Sequence, residues 1–507
     1  MSWMNKTYKS ISREYHTARE QAEGFSKPFV QPTPTYQLIK TLACYPLRGE
    51  DFFYMDLRKY AKLLLVATKQ VAETGSWDQV YNFAIAMRRI GLIKDPPIIS
   101  AQIWPNKSRI ADLLATYPAN KMLLYAELAR TFDMQYSWGW GRRKKEAIAT
   151  ALATQPLRWH ELQAIKHRHA FRDLIRMVHP RPPSQEISGI WRWAIKGGDA
   201  PTDKIDVYMR ILKMQDADKA VRTAVDADLP WEVVRSRIGR LDALPPELLV
   251  EAAMKIMTPF DIAAQALSIV KRAGQEALSH VLASRRVPLS AGSRAALELY
   301  ARGYRDAAVL FFERVKMGRS EFAELLPAAP RRIIALVDIS ASMYGNPIRS
   351  AISSIMPLID VIDSMYLFNE GVSAYEGFRS LNGLMNLASM TRGGTALYDS
   401  MFYVANAERM TDDDVLLVFT DEQENASRLA SMADVVSLKT RAVLMVVAPY
   451  PADMILKQDN TRAVAYPGSD PDAVLASMRL ITSATVIESE GAVDLIRLLP
   501  PAARKNL

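Results

Sequence analysis

The sequence predicts two domains of different class: an all-α array of HEAT-like helical repeats over residues 1–328, then a doubly wound α/β domain over residues 329–507. Three observations predict it. At 507 residues the chain exceeds what one core accommodates. Its charge is divided: residues 331–507 hold 15 Lys and Arg against 21 Asp and Glu, and the preceding residues hold 49 against 34. The apolar pattern also changes near "LLPAAPRR" (325–332), from a spacing of three and four to continuous strand-like runs.

The helical elements come first. "YAKLLLVATKQVAE" (60–73), "VYNFAIAMRRIGLI" (80–93) and "SRIADLLATYPANKMLLYAELARTF" (108–132) carry the 3.6-residue period. So do "VYMRILKM" (207–214), "LVEAAMKIM" (249–257), "IAAQALSIVKRA" (262–273) and "SRAALELYARGY" (293–304). "KDPP", "HPRPP" and "LPPE" interrupt them, because proline and glycine end helices. Helix pairs with short breaks are the pattern of an α-solenoid.

The second part alternates. "IIALVDI" (333–339), "SMYLFN" (364–369), "DVLLVFTD" (414–421) and "RAVLMVVAP" (441–449) read as buried strands. Helices are expected over 347–362, 395–410 and 426–438. This pattern makes a parallel sheet near six strands, with ligand sites at the carboxyl ends of the strands.

Composition excludes several classes. No run reaches the roughly 18 apolar residues of a membrane span, and the first twenty residues lack the apolar core of a secretion signal. The single Cys44 excludes an internal disulfide and a thiolate metal cluster. A reduced, cytoplasmic, monomeric protein with no membrane contact is expected. No nucleophile–base–orienter set, phosphate-binding glycine loop with lysine, or paired-metal cluster is present, so no enzymatic activity is expected.

Chemistry concentrates in two places. In the α/β part, "LVDISASM" (336–343) places Asp338, Ser340 and Ser342 on the loop leaving the first strand. "TRGGTALYDS" supplies Thr395 behind two glycines, and "FTDE" ends a strand with Asp421. Two carboxylates and three hydroxyls at one sheet edge are hard oxygen donors, suited to one Mg²⁺ or Mn²⁺ with an open coordination position. In the helical part, residues 138–183 hold His160, His167, His169 and His179 with Arg142, Arg143, Lys144, Lys145, Lys166, Arg168, Arg172 and Arg176. The histidines lack the repeated spacing of a zinc cage. A cationic face that grips phosphates, with His and Trp to stack on bases, accounts for the composition better. A solvated basic surface is the alternative.

The Asp-x-Ser-x-Ser, Gly-Gly-Thr and strand-terminal Asp, in that order, resemble the metal-ion-dependent adhesion site of von Willebrand factor A domains, over about residues 330–490. "WGWGRRKKEAI" followed by "KHRHAFRDLIRMVHPRPP" resembles the TROVE module of the Ro autoantigen and its bacterial Ro-like relatives. "LPWEVVRSRI" (229–238) is similar to a later segment of that family. The family joins a helical ring to a von Willebrand A domain in this order, so the resemblance covers nearly the whole chain.

The resemblance implies binding of small noncoding Y-like RNAs on a basic outer surface and of single-stranded ends of misfolded RNAs, in RNA quality control or as a ribonucleoprotein adaptor. By position it implies RNA contacts for Arg143 and Lys144 after Gly141, for Lys166, and for His179. The composition of the segment adds Arg142, Lys145, His167, Arg168 and Arg172. Phe171, Leu162 and Ala164 stand where the family carries histidine or basic residues, which bears on which RNA is held. His179 has a second reading, as a core histidine closing its helix before Pro180. The alternative function is a protein-interaction adaptor that receives a partner's carboxylate, such as a ribonuclease's, at the cation.

Overall fold

The computed structural model describes residues 57–89, 96–136, 140–235, 244–283, 285–421, 423–431, 440–447, 463–467, 471–490 and 495–504, with positions 35, 38, 434, 435 and 438. The first helices whose bounds fall among the described residues are α1 (Leu57–Thr74) and α2 (Trp77–Arg89). The contacts divide the chain into two compact units: residues 94–311, and residues 1–93 together with 312–507.

The first unit is helical throughout its described residues. It runs through α3 (Pro96–Ser100), α4 (Lys107–Leu114), α5 (Ala119–Tyr136), α6 (Arg142–Ala153), α7 (Leu157–Lys166), α8 (Arg168–Val178) and α9 (Gln185–Lys196). It continues with α10 (Asp203–Ile211), α11 (Ala217–Asp226), α12 (Trp231–Arg235), α13 (Pro246–Lys255), α14 (Pro259–Leu282) and α15 (Leu289–Ala301). Each packs on helices close to it in sequence: α4 on α6, α5 on α8, α8 on α9, α13 on α14 and α14 on α15. Near-neighbour packing is what a repeat array predicts.

Helix starts follow side-chain chemistry. Asn106, Ser184, Thr202 and Asp216 each accept amide hydrogens at the first turn of α4, α9, α10 and α11. Thr258 and Asp261 form a reciprocal capping box at the start of α14. The periodic stretch 262–273 stops where it does because Gly274 takes φ +85° and kinks α14.

The packing in α7–α9 is aromatic. His160, fully buried, lies 5.1 Å from the Trp159 ring, 6.0 Å from Phe171 and 5.7 Å from Trp191. Its Nδ1 accepts a hydrogen bond from Trp191 Nε1 at 3.2 Å. Burial pushes the imidazole down to about 4, so it stays neutral.

The second unit continues through α16 (Arg305–Val315), which begins within the first, and α17 (Arg319–Glu324), into a six-stranded sheet. Its elements are β1 (Arg332–Asp338), α18 (Asn346–Ile355), β2 (Ser364–Phe368), β3 (Val372–Ala374), α19 (Leu381–Met390), α20 (Leu397–Ala407), β4 (Asp414–Thr420), β5 (Arg441–Val446), β6 (Ala463–Pro467), α21 (Pro471–Glu490) and α22 (Pro501–Arg504). The strand order is β3-β2-β1-β4-β5-β6, and all neighbours are parallel except β2 and β3. Every residue of β4 and all of β1 after Arg332 are buried, as a sheet covered on both faces requires. Ile334, Leu336, Leu416 and Val418 pack with Leu397, Met401 and Val404 of α20.

Three features differ from the sequence expectation. The antiparallel β3 follows a tight turn, in which Gly371 donates to Asn369 Oδ1 at 3.2 Å; so short a connection cannot make a parallel crossover. Of the helix expected over 426–438, residues 426–431 form none, because side-chain carboxylates take their amide hydrogens; positions 434 and 435 are helical, and 432, 433, 436, 437 and 439 lie outside the described residues. The contact boundary also falls before residue 328. Residues 317–325 are tied to the α/β unit by Met317 N to Pro357 O at 2.9 Å, Arg319 to Asp363 at 2.6 Å and Arg479 Nε to Leu325 O at 3.1 Å. At the other end of the chain, residues 495–498 and α22 pack on α2.

At the amino-terminal edge of the sheet, buried Asp414 accepts hydrogen bonds from Arg331 at 2.6 and 2.9 Å and from Arg332 at 3.1 and 3.3 Å. Burial alone raises this carboxyl, but the two guanidinium groups outweigh it and hold it well below the usual range. Asp414→Asn is expected to cost about 3 kcal/mol in urea unfolding, the lower end for breaking a buried ion pair, because both arginines stay partly exposed. His160 predicts an acid limb. The unfolded imidazole takes a proton below its ordinary 6.5 and the folded one only near 4, so stability is complete above about pH 6.5 and declines as pH falls towards 4. Melting curves of His160→Gln across that range should lose this part of the slope.

Candidate functional site

The strand order reverses between β1 and β4. The chain leaves β1 for β2 and β3 on one side, then returns to pair β4 on the other. Such a switch point opens a crevice at the carboxyl ends of the two strands. Asp338 is the last residue of β1, and Asp421 follows the last residue of β4. Register pairs Val337 with Phe419, which brings Asp338 level with Thr420. The Thr420 hydroxyl donates to Asp338 Oδ2 at 2.8 Å, and Ser340 N donates to Oδ1 at 2.8 Å.

The other donors converge on the same edge. Ser340 Oγ and Ser342 Oγ lie 3.1 Å apart. Thr395 is fetched by backbone bonds. Arg392 N donates to Ile339 O at 2.7 Å, Ala341 N to Gly393 O at 3.0 Å, and Asn425 N and Ala426 N to Thr395 O at 3.1 and 3.0 Å. Asn425 Oδ1 accepts from Thr395 N at 2.9 Å. Gly394 is required for that approach, since a Cβ there would stand 2.9 Å from Asn425 Oδ1.

Asp338, Ser340, Thr395 and Asp421 are all buried. Burial, and secondarily the Asp421 charge, pushes the Asp338 carboxyl up to about 6 despite its hydrogen bonds. The Thr395 hydroxyl is buried with no hydrogen-bond partner. A buried hydroxyl with no partner, at the same sheet edge as two buried carboxylates, offers hard oxygen donors, so the residues fit a hard divalent ion. Among the described residues there is no group of three or more His, Cys, Asp or Glu side chains that could hold a metal ion.

The basic segment divides by burial. Arg142 and Arg143 are exposed at the start of α6, with Arg142 Nε 2.6 Å from Glu146. Lys144 is only 2% exposed and does not join them. It shares the buried stripe 144, 147, 148, 151 and 152 of α6, a spacing already readable in the sequence. Lys145 lies with Nζ 5.7 Å from the Trp140 ring. Lys166 pairs with Glu232 at 3.0 Å, and His167 joins α7 to α8, its imidazole lowered by burial and by Lys166.

Arg168 is a packing residue. Its guanidinium lies 4.2 Å over Trp193 and donates to Trp193 O at 3.1 Å. Arg172 pairs with Asp173 at 2.8 Å. His179 is exposed, in the left-handed conformation that caps α8, so it is not a core histidine. Exposed Arg192 and Lys196 on α9 extend the positive surface and were missed, since they lie outside the quoted segment.

No helix among the described residues is long and apolar enough to cross a membrane. No family model and no curated protein sequence matches the chain. A search of solved structures finds the Ro (RSR) protein of Deinococcus radiodurans, at 15% identity with a TM-score of 0.64, covering 89% of this chain and 100% of that one. At that identity the likeness is one of architecture, and the chain has the fold of a bacterial Ro-like protein.

Proposed function

We propose that the chain is a non-enzymatic RNA-binding protein whose helical unit holds noncoding RNA through its phosphates and whose α/β unit carries one Mg²⁺ or Mn²⁺. The observation that carries this reading is the fold likeness to a Ro protein over 89% of the chain, together with the exposed basic residues around α6 and α8. Arg142, Arg143, Lys145 and Lys166 meet phosphates. The surface ion pairs of Arg142 and Lys166 are weak enough to exchange for them. His179, exposed at a helix end, stacks on or hydrogen-bonds a base or sugar. Small structured Y-like RNAs and single-stranded ends of misfolded RNAs are the proposed ligands, in RNA quality control.

Asp338, Ser340, Ser342, Thr395 and Asp421 hold the cation. When bound, the ion supplies a positive pole with an open position for a carboxylate or phosphate. A second reading, as an adaptor for a partner protein such as a ribonuclease, is favoured by Tyr344. This ring is 76% exposed two residues after Ser342, as a contact beside a docked carboxylate would be.

The RNA surface predicts a salt series. Each phosphate neutralised on a single strand contributes about −0.7 to the log–log slope, so Arg142→Ala with Arg143→Ala should cut it by about 1.4 in filter binding, alike for unrelated RNAs. Lys144→Ala should instead lower the melting temperature. An unchanged slope in the double variant would place the RNA elsewhere.

The cation site predicts a pH limb. Asp338 ionises near pH 6 and the ion binds its ionised form, so Mg²⁺ affinity by calorimetry should be full above about pH 7. It should fall by up to about tenfold per unit below 6. Asp338→Ala should abolish binding while leaving RNA affinity unchanged.

A further inference from the structure

Between Asp421 and Ser431 the chain has no regular structure among its described residues. Such a segment must still satisfy its buried amides, and the groups that do so decide where it lies. The acceptors come largely from the amino end of α20 and from the segment itself. Asp399, buried in the first turn of α20, accepts three amide hydrogens: Arg428 N on Oδ2 at 2.9 Å, and Leu429 N and Ala430 N on Oδ1 at 3.0 and 2.7 Å. Ser427 Oγ accepts from Tyr398 N at 3.1 Å and Asp399 N at 3.2 Å, and donates to Glu424 Oε2 at 2.7 Å. Glu424 Oε1 accepts from Ala426 N and Ser427 N at 3.0 and 2.7 Å.

This segment connects the two halves of the cation site. It starts at Asp421, whose Oδ1 accepts from Gln423 N at 3.3 Å. At Asn425 and Ala426 it grips Thr395 through both backbone groups of that residue. Thr395 stands just ahead of α20, and Asp399 within its first turn. The helix therefore holds the segment at one end while the segment holds Thr395 at the other. A carboxylate that accepts several amide hydrogens makes charge-assisted bonds and is further favoured at a helix amino end. Without it, the amides of 428–430 lose their acceptor, and the segment is held to the start of α20 by the Ser427 and Glu424 bonds and its grip on Thr395 alone.

We propose that Asp399 is a positioning residue for the cation site: it touches no cation, and it sets cation affinity by locking the 421–430 segment onto α20. This rests on the reading of Asp338, Ser340, Ser342, Thr395 and Asp421 as the ligands. Loss of such an outer partner typically weakens metal binding 10- to 100-fold.

The test titrates Mn²⁺ into the full chain and follows free ion by electron paramagnetic resonance, with a melting curve in chelator for each variant. Asp399→Asn should weaken Mn²⁺ by about 10- to 100-fold. Ser427→Ala, which keeps the carboxylate, should weaken it several-fold. Asp414→Asn breaks an equally buried carboxylate at the opposite edge of the sheet. It should lower the melting temperature and leave Mn²⁺ affinity at the wild-type value. Wild-type affinity in Asp399→Asn overturns the assignment, as does an equal loss in Asp414→Asn, which would mark a general effect of destabilisation. Should Asp399→Asn not fold, unchanged affinity in Ser427→Ala overturns it. A wild-type chain that takes up no Mn²⁺ overturns the ligand reading itself, and this assignment with it.

Discussion

The parallel pairing of β1 with β4 is the constraint on which the α/β unit depends. These strands are far apart in sequence, and between them the chain builds β2, β3 and three helices before returning. Their register alone sets Asp338 level with Thr420 and leaves Asp421 one residue further on. The fully buried strands hold that register, because a slip of one residue would turn every side chain to the wrong face. At the far end of the same pair, Asp414 and the two arginines close the sheet with charge. One strand, β4, thus carries at its start a carboxylate stabilised by guanidinium groups, and just past its end the side chain of Asp421.

That difference shows how environment separates function from structure among like residues. Asp414, Asp399 and Asp338 are all buried aspartates. The first faces two arginines and the second faces three amides, so each negative charge is answered within the fold. Asp338 has the Thr420 and Ser340 hydroxyls and one amide, with a second carboxylate nearby, and burial pushes it upward. A buried carboxylate raised in this way is the group on which the proposed cation reading rests.

The helical unit shows the same economy in reverse. Its excess positive charge does not stand free. Arg168 packs on Trp193, Arg172 pairs with its neighbour and Lys166 with Glu232, while Lys144 is interior. Among the residues that stay exposed are Arg143 at the start of α6, His179 at the end of α8, and Arg192 and Lys196 on α9. The proposed polyanion contact would trade the weak surface pairs of Arg142 and Lys166 for phosphates, away from the aromatic packing around His160.

Much of the architecture was readable from the chain itself. Periodicity marked α1, α2, α4, α5, α10, α13, α14 and α15, and continuous apolar runs marked β1, β2, β4 and β5, because burial imposes those patterns wherever the elements form. That the residues proposed as cation ligands meet at one sheet edge was readable as well, since hydroxyls and carboxylates at strand ends have one common destination in a doubly wound sheet. The short β3 and β6 were not, being three and five residues with little pattern to carry. Nor was the loop at 426–431, whose composition suits a helix. Its amides are claimed by Asp399 and Glu424, and Asp399 lies some thirty residues away in sequence. Sequence determined which residues bury and with what period. Only the tertiary structure decided which cations are spoken for and where irregular backbone finds its acceptors, because those partners are brought together by packing and not by spacing.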